Sequence, residues 1–189
     1  MHSNAFADAD KVAITEGESI QFNGNRSSDE DGIIVNYTWN FGDGKYNYTI
    51  NPIHTFMQNG EYNVTLNLVS SFGCKNTIKD TAIVHPNPDV SFLVEELCEG
   101  DLTRFTNNSN LIDGTILSYN WNFGDGNMSI LENTSNQFLS HGSYLITLNV
   151  TSTKNCSSSS TQSIQIHELP EVDFLVDNAV CEDMNVNFL

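Results

Sequence analysis

Three acids stand side by side at Asp29, Glu30 and Asp31, between Ser28 and Gly32. Carboxylates this close repel one another unless they share a cation, and a glycine-ended loop of hard oxygen donors suits Ca2+; a plain solvated loop is the competing reading. Two further acids, Asp43 and Asp125, each lie inside a Phe-Gly-Asp-Gly run. There glycine supplies the positive φ of a tight turn and the Asp side chain bonds nearby backbone N–H groups, so both are read as structural. A single carboxylate on a turn lacks the second acid, base or nucleophile that catalysis needs. The five histidines, His2, His54, His85, His141 and His167, are scattered, and the chain has no HExxH, GxSxG or phosphate-cradling glycine loop. His85 and His167, at equivalent strand ends, read as exposed or capping residues. Tyr46 and Tyr48 alternate just past the first Gly-Asp-Gly turn; they form a strip able to stack on sugar or protein, or they pack across strands. No acid, base, nucleophile or metal triad can be assembled, and the chain is not expected to be an enzyme.

The elements that position these residues are organised by an internal repeat. YTWNFGDG (37–44) returns as YNWNFGDG (119–126), and 121 minus 39 gives a period of 82. The same offset links NGEYNVTLNLVS with HGSYLITLNVTS, Cys74 with Cys156, His85 with His167 and Pro88 with Pro170. Upstream of the tryptophan the offset is 83, pairing Phe22 with Phe105. Tyr62, Val64, Leu66 and Leu68 alternate with Asn63, Thr65 and Asn67, the period of a strand packed on one face and wet on the other. Tyr37, Trp39 and Phe41 alternate likewise, which puts Trp39, and by repetition Trp121, inside. Short strands separated by Gly, Asn and Asp turns predict an all-β chain of small sandwiches. The boundaries fall at HPNP (85–88) and HELP (167–170), where proline blocks ladder bonds and stiffens a short linker. This gives repeats over 5–86 and 88–168, and the first two strands of an incomplete third over 171–189. Two strands build no core alone. The tail is either part of a longer array or a strand donated to another sandwich or to a second copy of the chain.

S-x-D-x-D-G (27–32), Y-x-W-x-F-G-D-G (37–44), N-P-x-H-T-F (51–56) and N-G-E-Y-N-V-T-L (59–66) together resemble the PKD domain, an immunoglobulin-like sandwich. The resemblance covers nearly all of 5–86 and 88–168 and implies tandem immunoglobulin-like (PKD-type) β-sandwiches. The second copy departs at NSNLIDGT (108–115) and NTSNQF (133–138). From the same resemblance, Asp29 and Asp31 match an acidic loop that binds Ca2+ in some PKD-like domains. Asp8 and Asp10, near the start of the chain, are the candidates to complete the shell; Asp113 in the second copy is a lone carboxylate with too little charge. Tyr62 and Tyr144, each following a turn glycine, look like corner tyrosines whose hydroxyls bond backbone.

Cys98 and Cys181 are equivalent by the repeat, as are Cys74 and Cys156, and Thr15 stands where Cys98 aligns. Four cysteines suggest oxidation outside the cell. Cys98 to Cys156 is the simplest intradomain pairing, yet the two fall at opposite poles of an immunoglobulin-like fold, beyond the ~6 Å Cα spacing a disulfide needs. Bridges between successive domains, or reduced buried thiols, stay open. Nine positions fit the N-glycosylation pattern, Asn25, Asn36, Asn47, Asn63, Asn107, Asn127, Asn133, Asn149 and Asn155. Chance in so Asn-, Ser- and Thr-rich a chain gives about four or five.

Seven Lys and Arg against 24 Asp and Glu give a formal charge of −17, which argues against nucleic acid and anionic membranes and favours cations. No apolar run is long enough to span a bilayer, and the opening MHSNAFADAD lacks the apolar stretch of a signal peptide. The expected role is a secreted or cell-surface structural or adhesive module, meeting protein, carbohydrate or copies of itself. The alternative is an accessory or spacer region of a secreted protease or polysaccharide hydrolase, since PKD-like domains also occur beside such enzymes.

Overall fold

A computed structural model describes residues 3–95 and 98–173 of the 189-residue chain. The expected strands around Phe174, Val176, Val186 and Phe188, and Cys181, lie outside the described residues.

The first repeat runs through β1 (Ser3–Asn4), β2 (Asp8–Ala9), β3 (Ala13–Thr15), β4 (Ser19–Asn23), β5 (Ser28–Asp29), β6 (Ile34–Asn40), β7 (Tyr46–Asn47), β8 (Ile53–Thr55), β9 (Gly60–Ser70) and β10 (Lys75–His85). The second runs through β11 (Phe92–Val94), β12 (Leu102–Asn107), β13 (Ile116–Asn122), β14 (Met128–Ser129), β15 (Thr134–Gln137), β16 (Gly142–Ser152) and β17 (Ser157–Ile166). The architecture is all-β and immunoglobulin-like, as the alternation and the turns predict. In the first repeat a five-stranded sheet ordered β3-β10-β9-β6-β7 faces a three-stranded sheet ordered β2-β4-β8. In the second, β14-β13-β16-β17 faces β11-β12-β15.

Alternation along the long hairpins sets the register. β9 pairs antiparallel with β10 from Gly60↔Val84 to Val69↔Lys75, and β16 with β17 from Gly142↔Ile166 to Thr151↔Ser157. This turns Val64, Leu66 and Leu68 inward in the first repeat and Ile146, Leu148 and Val150 in the second. Both tryptophan strands carry an irregularity at the same place, between Ile34 and Asn36 and between Ile116 and Ser118, which adds local twist.

Each repeat has its own core. Trp39, Phe41, Phe22 and Phe56 fill the first, with Phe22 5.4 Å from Trp39 and 5.3 Å from Phe41 between ring centroids. Trp121, Phe123, Phe105 and Phe138 fill the second, with Phe105 5.8 Å from Trp121 and 5.0 Å from Phe123. Burying one such side chain is worth ~1.5–3 kcal/mol. Both indoles also satisfy their N–H, Trp39 Nε1 donating to Thr49 O (3.1 Å) and Trp121 Nε1 to Leu131 O (2.8 Å).

Between the repeats the linker is fixed to the first sandwich. Pro86 and Pro88 are buried. Asn87 donates its backbone N–H to Glu16 Oε2 (3.2 Å) and its side-chain amide to Glu16 O (3.3 Å).

Candidate functional site

The acidic loop lies against the start of the chain because β1 pairs with β5, setting Ser3 opposite Asp29 and Asn4 opposite Ser28. Glu30 and Asp31 are exposed, but both carboxylate oxygens of Asp29 are shielded from solvent and accept no hydrogen bond. Gly32 is required beneath them: a Cβ there would come within 2.6 Å of Asp29 Oδ2 and 2.8 Å of Ser71 Oγ. Shielded polar atoms without a partner lose their hydration uncompensated, and a hard cation held by Asp29 and Asp31 would restore partners to these oxygens.

Asp8 and Asp10 do not join this loop, which corrects the expected shell. The first strand of the repeat is broken into β1, β2 and β3, and β2 pairs with β4 instead of the acidic loop. Asp8 lies opposite Asn23, its Oδ1 accepting from Ala9 N (2.9 Å), while Asp10 Oδ1 accepts from Gln21 N (2.9 Å). Among the described residues no three of His, Cys, Asp and Glu gather as a metal-binding group, so a cation held by Asp29 and Asp31 would take its other oxygens from other residue types. Asp113, the single acid of the corresponding loop NSNLIDGT (108–115) in the second copy, is turned toward the first repeat, with its Oδ2 3.6 Å from His85 Nδ1.

Asp43 does what its turn predicts, Oδ1 accepting from Lys45 N at 3.0 Å. Its second oxygen takes a partner that sequence reasoning missed. His54, buried on β8, places Nε2 2.8 Å from Asp43 Oδ2, while its ring stacks 3.9 Å from Phe41. In the second repeat Asn136 occupies the equivalent place, and its Nδ2 donates to Asp125 Oδ2 at 2.7 Å. The offset of 82 between His54 and Asn136 was the available signal, obscured because the residue types differ. The corner tyrosines also bond backbone, Tyr62 Oη to Gln58 O and Tyr144 Oη to Ser140 O, both at 2.8 Å.

Tyr46 and Tyr48 are 56% and 70% exposed and stand beside exposed Ile50 and Ile53; in the second repeat Met128 and Ile130 hold the corresponding exposed positions. Of the nine sequon asparagines, Asn25, Asn36, Asn63, Asn127, Asn133, Asn149 and Asn155 are exposed, while Asn47 and Asn107 are half-buried. The Asn127 amide is already engaged, with Asp125 Oδ2 at 3.0 Å and Asn136 Oδ1 at 3.1 Å.

Cys98 and Cys156 are both free thiols, which corrects the intradomain pairing. Cys98 bridges to His167 past the end of β17, and Cys156 immediately precedes the start of that strand. A ten-residue strand separates them, about 33 Å at the rise of an extended chain, against the ~6 Å Cα spacing of a disulfide.

The sequence pattern of the PKD domain matches residues 4–85 and 83–168. Collagenase ColQ1 of Bacillus cereus (strain Q1) is 37% identical over 78 residues, covering 38% of this chain and 8% of the collagenase. The pre-pro-metalloprotease PrtV of Vibrio cholerae is 29% identical over 136 residues, covering 71% of this chain and 15% of the protease. Among solved structures, the PKD1 domain of PrtV is 33% identical with a TM-score of 0.40, covering 43% of this chain and 98% of that domain. The chain thus spans a small fraction of the curated relatives it matches.

Proposed function

Because this chain belongs to the PKD domain family, matching it in two tandem copies along residues 4–168, we propose that it is a non-catalytic extracellular spacer whose first repeat is stiffened by Ca2+. The observation that carries this reading is the Asp29 carboxylate, shielded from solvent with both oxygens unpartnered. Asp29 and Asp31 hold the ion, with neutral oxygens from the loop and the adjoining β1 strand completing the set. Bound Ca2+ supplies charge neutralisation, joining the acidic loop to the start of the chain. Two carboxylates with neutral donors make a modest site, of the kind that fills at the ~10⁻⁴–10⁻³ M Ca2+ of extracellular modules. A site of that strength suits a location outside the cell.

The linker supports the role of spacer. Pro86 and Pro88 are buried and Asn87 is bonded to Glu16, so the second sandwich leaves the first in a set direction. The exposed Tyr46, Tyr48 and Ile53 are the surface on which a protein or carbohydrate partner would stack.

A second reading is favoured by the names of the relatives, a collagenase and a metalloprotease. In it the same rigid pair holds a protease domain of a longer protein at a distance from its attachment or substrate.

Thermal unfolding of the full chain with excess Ca2+, and again with chelator, tests the metal-dependent spacer. An ion that binds the folded state alone adds about 2.7 kcal/mol at a hundred times its Kd, which for a sandwich of this size raises the first transition by several degrees. Asp29→Ala with Asp31→Ala should abolish the shift and leave the Ca2+-free transition unchanged or higher, since the variant removes the unpartnered Asp29 oxygens. No shift in the wild-type chain at millimolar Ca2+ would mean that Asp29 and Asp31 hold no ion.

A further inference from the structure

The four-stranded sheet of the second repeat, β14-β13-β16-β17, contains no Asp, Glu, Lys, Arg or His in any of its strands. The chain carries 24 acids and 7 Lys and Arg, so a whole sheet without charge stands apart from the rest of the surface. The inward residues of these strands build the core of the repeat. The outward ones are nearly all Ser, Thr, Asn and Gln, and register sets them in straight ranks across the sheet. Asn122 lies opposite Thr147, and Thr147 opposite Thr161; one step along, Asn120 lies opposite Asn149, and Asn149 opposite Ser159. Five of these six are exposed and Thr147 is half-buried. Neighbours within a rank stand about 4.8 Å apart, and successive ranks about 6.7 Å apart along the strands. Leu145 and Met128 are the exposed apolar exceptions, both at one end of the array.

Hydroxyls link the strands within the ranks. Thr147 Oγ1 is 3.2 Å from Thr161 Oγ1, and two ranks along Thr151 Oγ1 is 3.0 Å from Ser157 Oγ. A hydroxyl has one donor and two acceptor sites, so each pair keeps capacity toward the outside. These side chains are short, and β-branched threonine has few rotamers, so fixing them against a ligand costs little entropy. The first repeat breaks the same array with charge. Lys79 lies opposite Thr65 where Thr161 lies opposite Thr147, and Lys75 lies opposite Val69 where Ser157 lies opposite Thr151.

We propose that this face binds a neutral polysaccharide, laid across the ranks and held by hydrogen bonds. Charge selects the class of partner. A sheet with no cation offers nothing to an anionic polymer, which the chain's formal charge of −17 repels, whereas an uncharged polymer brings no charge to desolvate. The side chains select against protein. Protein interfaces are centred on aromatic, Met and Arg anchors and are depleted in Ser; here the outward groups are hydroxyls and amides, which meet sugar hydroxyls as both donors and acceptors. Each such bond is weak alone, so a polymer that spans several ranks is held and a single sugar is not. The face is separate from Tyr46 and Tyr48 of the first repeat. It shares with the spacer reading only the extracellular setting and does not depend on the cation.

Sedimentation of the full chain with insoluble cellulose, chitin and mannan, and with a polygalacturonate gel as the anionic control, tests the proposal. The chain is produced without N-glycans, so that Asn149 in the middle of the array is bare. Retention is expected on at least one of the neutral polymers and not on polygalacturonate, with no release by millimolar monosaccharide. Thr161→Lys with Ser157→Lys installs the residues that the first repeat carries at the same places. That pair should weaken retention at least about tenfold, since several bonds are lost and two charges must be desolvated, and should leave thermal unfolding unchanged. Thr77→Lys with Thr81→Lys, which adds the same charge to the first repeat, should leave retention as it is. Retention on none of the neutral polymers would overturn the proposal. So would retention that survives the lysines at 157 and 161, which places binding elsewhere, or a dimer in solution that those lysines disperse, which gives the face to a second copy of the chain.

Discussion

Asp43 shows how a residue that reads as a plain turn acid acquires a further role. Burial alone would raise its carboxyl; the hydrogen bond with His54, the Lys45 amide and the charge of His54 outweigh that and hold it below the ordinary carboxylate value. With the folded value below the unfolded one, ~3.9, the contribution to stability is fully present above the unfolded value and is lost as pH falls through the folded one. Asp43→Asn should therefore lower the stability of the first repeat at neutral pH by about 1–2 kcal/mol. It should also flatten the acid limb of a denaturant-midpoint profile between about pH 5 and pH 2. An acid limb as steep as that of the wild type would show that other carboxylates govern it. The role of Asp43 in its turn was legible from Phe-Gly-Asp-Gly, because that chemistry is local. The His54 partnership was not, because it spans two sheets and the second repeat meets the same need with Asn136.

The elements that sequence pattern placed well are the long ones. β9 and β16 are eleven residues each, enough for alternation to declare a face, and Leu66 and Leu148 are fully buried as that alternation requires. The first strand of the repeat could not be read this way. Its pieces β1 and β2 are two residues each, too short for a period, and its partner changes from β5 to β4 to β10 along its length. For this reason nearness in sequence pattern misplaces Asp8 and Asp10 beside an acidic loop that they do not reach. The Phe-Gly-Asp-Gly turn is fixed more tightly than its composition alone suggests. Gly42 has φ +82°, and a Cβ there would stand 2.9 Å from Asn63 O on β9; Gly124 has φ +76° and would stand 2.8 Å from Leu145 O. The left-handed backbone costs any other residue ~1–2 kcal/mol, and the clash with main chain adds to it. Gly42→Ala should destabilise the first repeat by about 2–4 kcal/mol in urea unfolding while leaving the second transition in place. A change below ~0.5 kcal/mol, the range of a neutral surface substitution, would mean that the turn relaxes freely, contrary to the contact with Asn63.

At the scale of the whole molecule, two cores of similar aromatic content are joined by a linker bonded into one of them, and the junction brings His85 within 3.6 Å of Asp113. The repeat was legible because YTWNFGDG returns as YNWNFGDG at a fixed offset, with Pro86 and Pro88 interrupting the alternation between the copies. The contacts across the junction were not, because Asp113 and Lys154 belong to loops whose partners lie in another repeat. A rigid junction is what makes a spacer of two sandwiches, and residual dipolar couplings of the backbone amides in a weakly aligning medium measure it directly. One alignment tensor should fit the couplings of residues 4–85 and of residues 88–168 together, with the inter-repeat orientation unchanged between two media. Two tensors of different magnitude, one for each repeat, would mean that the sandwiches reorient independently and would rule out a rigid spacer.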